Sequence, residues 1–253
     1  MGEHVARNAP AKKKGSSIFW NIVGVIGELL ITFAFVIGLF SLWQLYWTTY
    51  QVAGQVTQTI ASYEEEHQPS KRTQGETRTD APPEFTREVA SGEVYGLVHV
   101  PTWDWMKIPL AEGTTSYVLD QGWAGHYDMT TQPGGVGNFS VAGHRRTYGN
   151  NFRWIDRLTQ GDKVVVEVDD RYLVYSMVSS EIIDATDPTQ MRVVAPVIDD
   201  VSWSETPTER WMTMTTCHPE YGNWQRYIVH LKFESWTPKD TGVPAELVDE
   251  PTN

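Results

Sequence analysis

Hydrophobic and polar positions divide the chain into regions of different character. Residues 18–47 are nearly all apolar, and between Leu29 and Leu42 only Thr32, Gly38 and Ser41 interrupt the run. A helix needs about 20 such residues to cross a bilayer, so the stretch predicts one transmembrane helix. A cleaved leader has a shorter apolar core, about 7 to 15 residues, and a small-residue cleavage site soon after it. Val52-Ala53-Gly54 is a weak match, and residues 18–47 read as a retained anchor. Arg7, Lys12, Lys13 and Lys14 precede the run and no Lys or Arg follows it before Lys71. By the positive-inside rule, the basic tail 1–17 is cytoplasmic and everything beyond the anchor lies outside the plasma membrane. Trp43, Tyr46, Trp47 and Tyr50 gather at the outer end, where amphipathic rings favour the headgroup layer. Glu28 sits in the inner third, where it can be neutral, reach headgroups or meet a partner helix.

The next region changes character. Residues 64–93 carry eight acidic and four basic side chains, Pro69, Pro82 and Pro83, and almost no large apolar groups. Such a stretch buries too little surface to offset its ordering entropy, so residues 48–93 read as a polar extracellular linker. Beyond it the pattern is that of β-structure. Short runs rich in Val, Ile, Tyr and Thr at 94–100, 117–119, 139–142, 163–168, 172–178, 211–216 and 227–233 are separated by Gly, Pro and Asp turns. The longest helical candidate there is 151–158. Seven or eight such strands predict an all-β domain over 94–236, a closed barrel or a sandwich. The polar, Pro-punctuated residues 237–253 read as a disordered tail.

Charge removes one function class. The net charge of −12, with 32 acidic against 20 basic residues, and the lack of a basic cluster outside the N-terminal tail argue against nucleic-acid binding. Composition also isolates one group: Cys217 is the only cysteine. An exported lone thiol idles in a core, pairs with another chain, or reacts. Pro219 ends the strand that carries it, which places Cys217 at a strand end beside a loop, where a scaffold presents reactive groups. A useful thiolate needs a base or cation nearby, and its leaving group needs an acid. His144 closes the apolar run Val141-Ala142-Gly143, another strand end. Arg226 opens the strand after Cys217 and returns beside it if the two strands form a hairpin, where a guanidinium would stabilise an oxyanion. His218 follows Cys217 directly and points to the opposite face. A zinc site drawn from Cys217, His144, His126 or His230 lacks any standard ligand spacing.

Thr213-Met214-Thr215-Thr216-Cys217 resembles the Thr-Leu-X-Thr-Cys signature of sortases, Ala142-Gly143-His144 resembles their histidine strand end, and Gln225-Arg226 falls where their arginine is expected. The order His, Cys, Arg agrees. The stretches Gly125-His126-Tyr127, Pro133 to Asn138, Gly143 to Gly149 and Thr216-Cys217-His218-Pro219 are most like actinobacterial class E sortases. The resemblance implies a closed eight-stranded sortase-type β-barrel behind one transmembrane helix. It also implies a cysteine transpeptidase that needs no cofactor or metal. Cys217 would be the nucleophile, His144 the acid and base, and Arg226 the oxyanion and substrate holder, with Tyr127, Thr215 and Thr216 as substrate-binding candidates. Its partners would be exported proteins bearing a Leu-Pro-X-Thr-Gly or Leu-Ala-X-Thr-Gly signal, a peptidoglycan precursor amine, and the bilayer. A catalytically silent binding barrel and a pilin-polymerising enzyme are the alternatives. Met214 stands in place of the usual Leu, and Arg146 where class E often has Thr.

Overall fold

The computed structural model describes residues 15–251, so the expected basic tail lies outside the described residues apart from 15–17. Helix α1 (Gly15–Glu66) is continuous over 52 residues. Up to Gln44 it belongs to a unit of its own, and its apolar side chains there, Leu30, Ile31 and Phe33 among them, are exposed. That is the surface a lipid-facing span presents, and the stretch is long and apolar enough to cross a membrane.

From Leu45 onward the chain is a second unit, built on eight strands: β1 (Val94–Val100), β2 (Met106–Glu112), β3 (Ala124–His126), β4 (Gly137–Ala142), β5 (Lys163–Val168), β6 (Arg171–Asp184), β7 (Arg210–His218) and β8 (Gln225–Pro238). They close into a barrel in the order β1-β2-β3-β4-β7-β8-β6-β5. Most pairs are antiparallel, but β2 with β3 and β4 with β7 run parallel. Closure leaves no edge exposed to another chain. The interior is filled by Phe139, Val141, Val164, Val166, Leu173, Tyr175, Met212, Met214, Val229 and Leu231. On each strand these alternate with outward positions, as the pleat requires. Met214 is fully buried in this interior, a place that accepts an unbranched side chain of leucine's volume.

The strand count agrees with the sequence, but its members differ. Residues 117–119, expected as a strand, form the short helix α2 (Ser116–Leu119), because the amides of Val118 and Leu119 turn back to the Thr115 carbonyl at 2.9 and 3.0 Å. Strands β2 and β3 supply the missing members. The helical candidate 151–158 contains only a 3-10 turn, Ile155–Arg157.

The expected linker and tail are both structured. The second half of α1 buries Val52, Ile60 and Tyr63 and partly buries Val56, at helical spacing on one face, and Ile60, Tyr63 and Val56 cluster with Leu97 of the barrel. The following segment is held by its backbone: Gly75 donates to the Val243 carbonyl at 2.8 Å, and Arg78 and Trp236 exchange bonds at 2.9 and 2.8 Å. After β8, Val243 and Leu247 pack on Val165, Tyr172 and Val174. A few well-placed apolar side chains and main-chain bonds do what average composition did not suggest.

Charge completes the closure. His99 on β1 is buried, with Nδ1 2.8 Å from Glu250 and Nε2 2.8 Å from Glu167 of β5. Lys239 reaches Glu167 at 2.7 Å, while Lys107 of β2 reaches Glu250 at 3.1 Å and Glu64 of α1 at 2.6 Å. Burial alone pulls the His99 imidazole down, but the bonds to Glu167 and Glu250 overcome it and push the value up to about 9. Burial likewise raises both carboxyls, and His99 with the lysines brings them below the usual range. A raised histidine stabilises the fold fully below 6.5 and loses that contribution as pH climbs through about 9. The lowered carboxyls stabilise above their ordinary range and lose it in acid. Thermal melts should therefore show Tm falling between neutral pH and about 9.5, on the alkaline side of His99. Glu250→Gln should reduce stability by about 3 kcal/mol, the scale for breaking one buried pair, and speed amide exchange at Val243 and Leu247.

Candidate active site

Strand β7 sorts its side chains by the pleat. Met212 and Met214 enter the barrel, so Thr213, Thr215 and Cys217 take its outer face. Cys217 is half-buried near the strand end. The strand stops at His218, whose bond to Pro219 is cis. The chain then turns, with Gly222 donating to the Pro219 carbonyl at 2.8 Å, and returns as β8. The expected hairpin is present, and its register pairs Cys217 directly with Arg226. The guanidinium donates to the Asn223 and Gln225 carbonyls at 2.7 and 2.9 Å, which ties it to the hairpin loop.

His144 arrives from the other side. Parallel pairing sets Ala142 of β4 opposite Thr215. The alignment continues one residue further, with Gly143 donating to the Thr215 carbonyl at 3.1 Å and the Thr216 hydroxyl donating to the Gly143 carbonyl at 2.6 Å. His144 therefore leaves β4 at the same end of the barrel as Cys217 leaves β7. Gly143 is required by space: a Cβ there would lie 2.8 Å from the Phe152 ring. The imidazole Nε2 lies 2.8 Å from Asp120 Oδ1, and its ring is 5.3 Å from that of Tyr148. Among the described residues, no hydrogen bond joins Cys217 to His144 or to Arg226.

The other candidates separate. Thr215 is buried and its hydroxyl shares a 2.9 Å hydrogen bond with Tyr127. Tyr127 packs with Ile183, Val193, Val194 and Ile228 under the β6–β7 connection. Burial pushes the Tyr127 phenol up and the Cys217 side chain adds to this, against the opposing pull of Thr215 and Arg226. Tyr127 and Thr215 thus form one unit beside the thiol. Thr216 faces the other way, with its hydroxyl committed to Gly143, and serves as a tie between strands. His126 is held by Glu112 at 2.9 Å and His230 by Thr213 at 2.9 Å, so neither joins Cys217.

Two features escaped sequence reasoning. Asp120 lies 24 residues before His144 and reaches it only through the fold; no local signal marks it. Arg145 is buried, donating to His218 Nδ1 at 2.7 Å and to Asp156 at 2.7 Å. Burial and this guanidinium hold His218 below its ordinary value, so the histidine beside Cys217 acts as an acceptor for Arg145. The neighbouring Arg146 pairs with Glu220 and lies 5.0 Å over Tyr221. It bridges the loops that follow His144 and Cys217.

A thiol, an imidazole and a guanidinium from three adjacent strand ends suit acyl transfer, in which a nucleophile, a proton carrier and an oxyanion partner must converge. Comparisons with known proteins agree. Residues 98–234 match the Sortase domain family. The Sortase SrtE1 of Streptomyces coelicolor is 35% identical over 248 residues, covering 96% of this chain. The chain spans 65% of that relative's length. Among solved structures, the SrtA sortase of Actinomyces oris is 43% identical with a TM-score of 0.64, covering 70% of this chain and all of the other. Sortase E1 of Streptomyces coelicolor, solved with a tripeptide in its active site, is 39% identical with a TM-score of 0.55, covering 63% of this chain and 99% of the other.

The Thr216 tie is open to a direct check. Thr216→Val leaves the Gly143 carbonyl without its hydroxyl donor and should lower stability by about 1–3 kcal/mol. Thr216→Ser keeps the donor and should stay near the parent, as read by thermal unfolding.

Proposed function

The chain belongs to the sortase family of cysteine transpeptidases and is most like its class E members, and we propose that it cleaves a sorting signal of the Leu-Pro-X-Thr-Gly or Leu-Ala-X-Thr-Gly type and passes the acyl group to a peptidoglycan amine. The observation that carries this reading is the pairing of Cys217 with Arg226 at the end where His144 leaves β4. The Cys217 thiolate adds to the Thr carbonyl carbon, and the electron pair moves to the oxygen. Arg226, released from the hairpin carbonyls, stabilises that oxyanion. Collapse breaks the Thr–Gly bond as His144 gives its proton to the glycine amine, leaving a thioester on Cys217. The acceptor amine then attacks the thioester, His144 takes the proton back, and the thiolate departs. Imidazole and thiol need to meet only once substrate bridges them, consistent with the lack of a direct bond between them. A catalytic contact of this kind often tightens only in the bound complex.

The apolar stretch of α1 suits a bilayer anchor, with the N-terminus in the cytoplasm and the barrel at the outer surface, where exported proteins and wall precursors are available. The Tyr127–Thr215 pair, outward-facing and next to Cys217, is the feature that selects the residue between Leu and X. A bulky phenol fixed by its bond to Thr215 would favour the smaller Ala at that position.

Full-length protein in detergent micelles, mixed with either sorting peptide, should show a thioester mass adduct on Cys217, and a suitable amine should convert it to product. Cys217→Ala should form neither, and Arg226→Ala should lose on the order of 10²–10³ in turnover, as loss of an oxyanion donor does. Absence of an adduct from both peptides sinks the transpeptidase reading. Tyr127→Phe and Thr215→Val should each shift the ratio of kcat/KM between the Ala and Pro peptides by about tenfold, the worth of one hydrogen bond.

A further inference from the structure

His144 is held from two sides by residues that are not on its own strand, and both holders lead to the same place. Asp120 bonds Nε2 from one side, and the Tyr148 ring lies over the imidazole on another, tilted by 31°. Two residues beyond Asp120 is Gly122, with φ of 78°, and directly after Tyr148 is Gly149, with φ of 95°. Both sit in the left-handed region that favours glycine. The two glycines abut: a Cβ on Gly149 would be 3.5 Å from the Gly122 Cα, and one on Gly122 would be 3.0 Å from the Tyr148 carbonyl oxygen. Above them lies α1. Val56 Cγ2 would touch a Gly122 Cβ at 2.9 Å, and Val52 Cγ2 a Gly149 Cβ at 3.5 Å. The Asn151 amide closes the stack, its Nδ2 and Oδ1 within 3.5 and 3.1 Å of the same two Cβ positions.

We infer that residues 52–56 of α1 are a positioning element for the proton-carrying imidazole, acting through Gly122 and Gly149 on Asp120 and Tyr148, which orient His144. The inference rests on reading His144 as the group that moves the proton. Asp120 accepts from Nε2–H and so assigns the reactive lone pair to Nδ1, the arrangement by which a carboxylate fixes a histidine tautomer. Val52 and Val56 hold the two loops together, because close-packed elements transmit small displacements without slack. This stretch of helix, packed on the barrel's own unit, therefore sets the geometry of the chemistry. A Cβ at Gly122 would meet both Val56 and the Tyr148 carbonyl, which explains why this junction holds bare backbone.

The alternative is that α1 only stabilises the barrel, and Ile60 separates the two. It is buried with Leu97 and Tyr63, one turn beyond Val56, and is not among the nearest atoms to the Gly122 and Gly149 Cβ positions. Full-length protein in detergent, labelled at histidine ring nitrogens, reports the His144 tautomer without any substrate, with His144→Ala identifying the signals. Asp120→Asn should change the tautomer ratio. The V52A/V56A double variant should shift or broaden the His144 signals and lower kcat on the order of ten- to a hundredfold with KM unchanged, the scale of a small misplacement. Ile60→Ala should leave those signals as in the parent despite a comparable loss of Tm. If the double variant does not fold, Val56→Ala alone takes its place. An unchanged tautomer in D120N overturns the inference, as does an I60A spectrum perturbed as much as that of the valine variants. Because the ring signals are read without peptide, they stand or fall separately from the thioester assay.

Discussion

The parallel contact between the ends of β4 and β7 is the interaction on which the rest of the site depends. Two parallel strands leave the barrel at the same edge, so the residues that follow them, His144 and Cys217, emerge side by side although far apart in sequence. The antiparallel return of β8 then brings a strand beginning, and Arg226, to that edge. Topology has already made the three groups neighbours. What remains is to hold the edge together, and the 2.6 Å bond from the Thr216 hydroxyl to the Gly143 carbonyl does this within the buried layer just beneath the chemistry.

The two ends of the described chain show a different economy. The barrel interior is apolar and closes by close packing, whereas helix and tail attach through a few buried side chains and one network of charge. His99, Glu167, Lys107 and Glu64 come from four elements, β1, β5, β2 and α1, and Glu250 and Lys239 from the tail. Each buried charge has a partner of opposite sign, without which its desolvation would oppose folding. Such a network adds less net energy than a hydrophobic patch of equal size, but it tolerates no missing member.

The legible part of the sequence was the part written in local pattern. Cys217, His144 and Arg226 each stand at a junction between an alternating run and a turn, so their placement at strand ends followed from periodicity. The strands β1, β5, β7 and β8 were recognisable from their Val, Ile, Tyr and Thr content. Residues 117–119 misled because three β-prone residues between turns are also one turn of helix, and the Thr115 carbonyl decides between them. Asp120 was invisible because its partner lies across the fold. The ordered tail was missed for the same reason: Glu250 looks solvated until His99, 151 residues away, is placed beside it. Apparent linker polarity hid Val52, Ile60 and Tyr63, whose spacing on one helix face outweighs their small number.

The alternation along β7 has one further consequence, which concerns how such a chain can change over evolutionary time. Inward methionines and outward threonines share the strand one by one, and Met214 shows that the inner row accepts exchange of one side chain for another of like volume. Length is a different matter. A single residue inserted or deleted between Arg210 and Cys217 would exchange the two rows, sending the Thr213 and Thr215 hydroxyls into the barrel and the methionines to its outer face. The turns before and after the strand carry no such parity. Variation in this molecule is therefore accepted as like-volume substitution in the methionine positions of β7 and as insertion only in the loops around the strand.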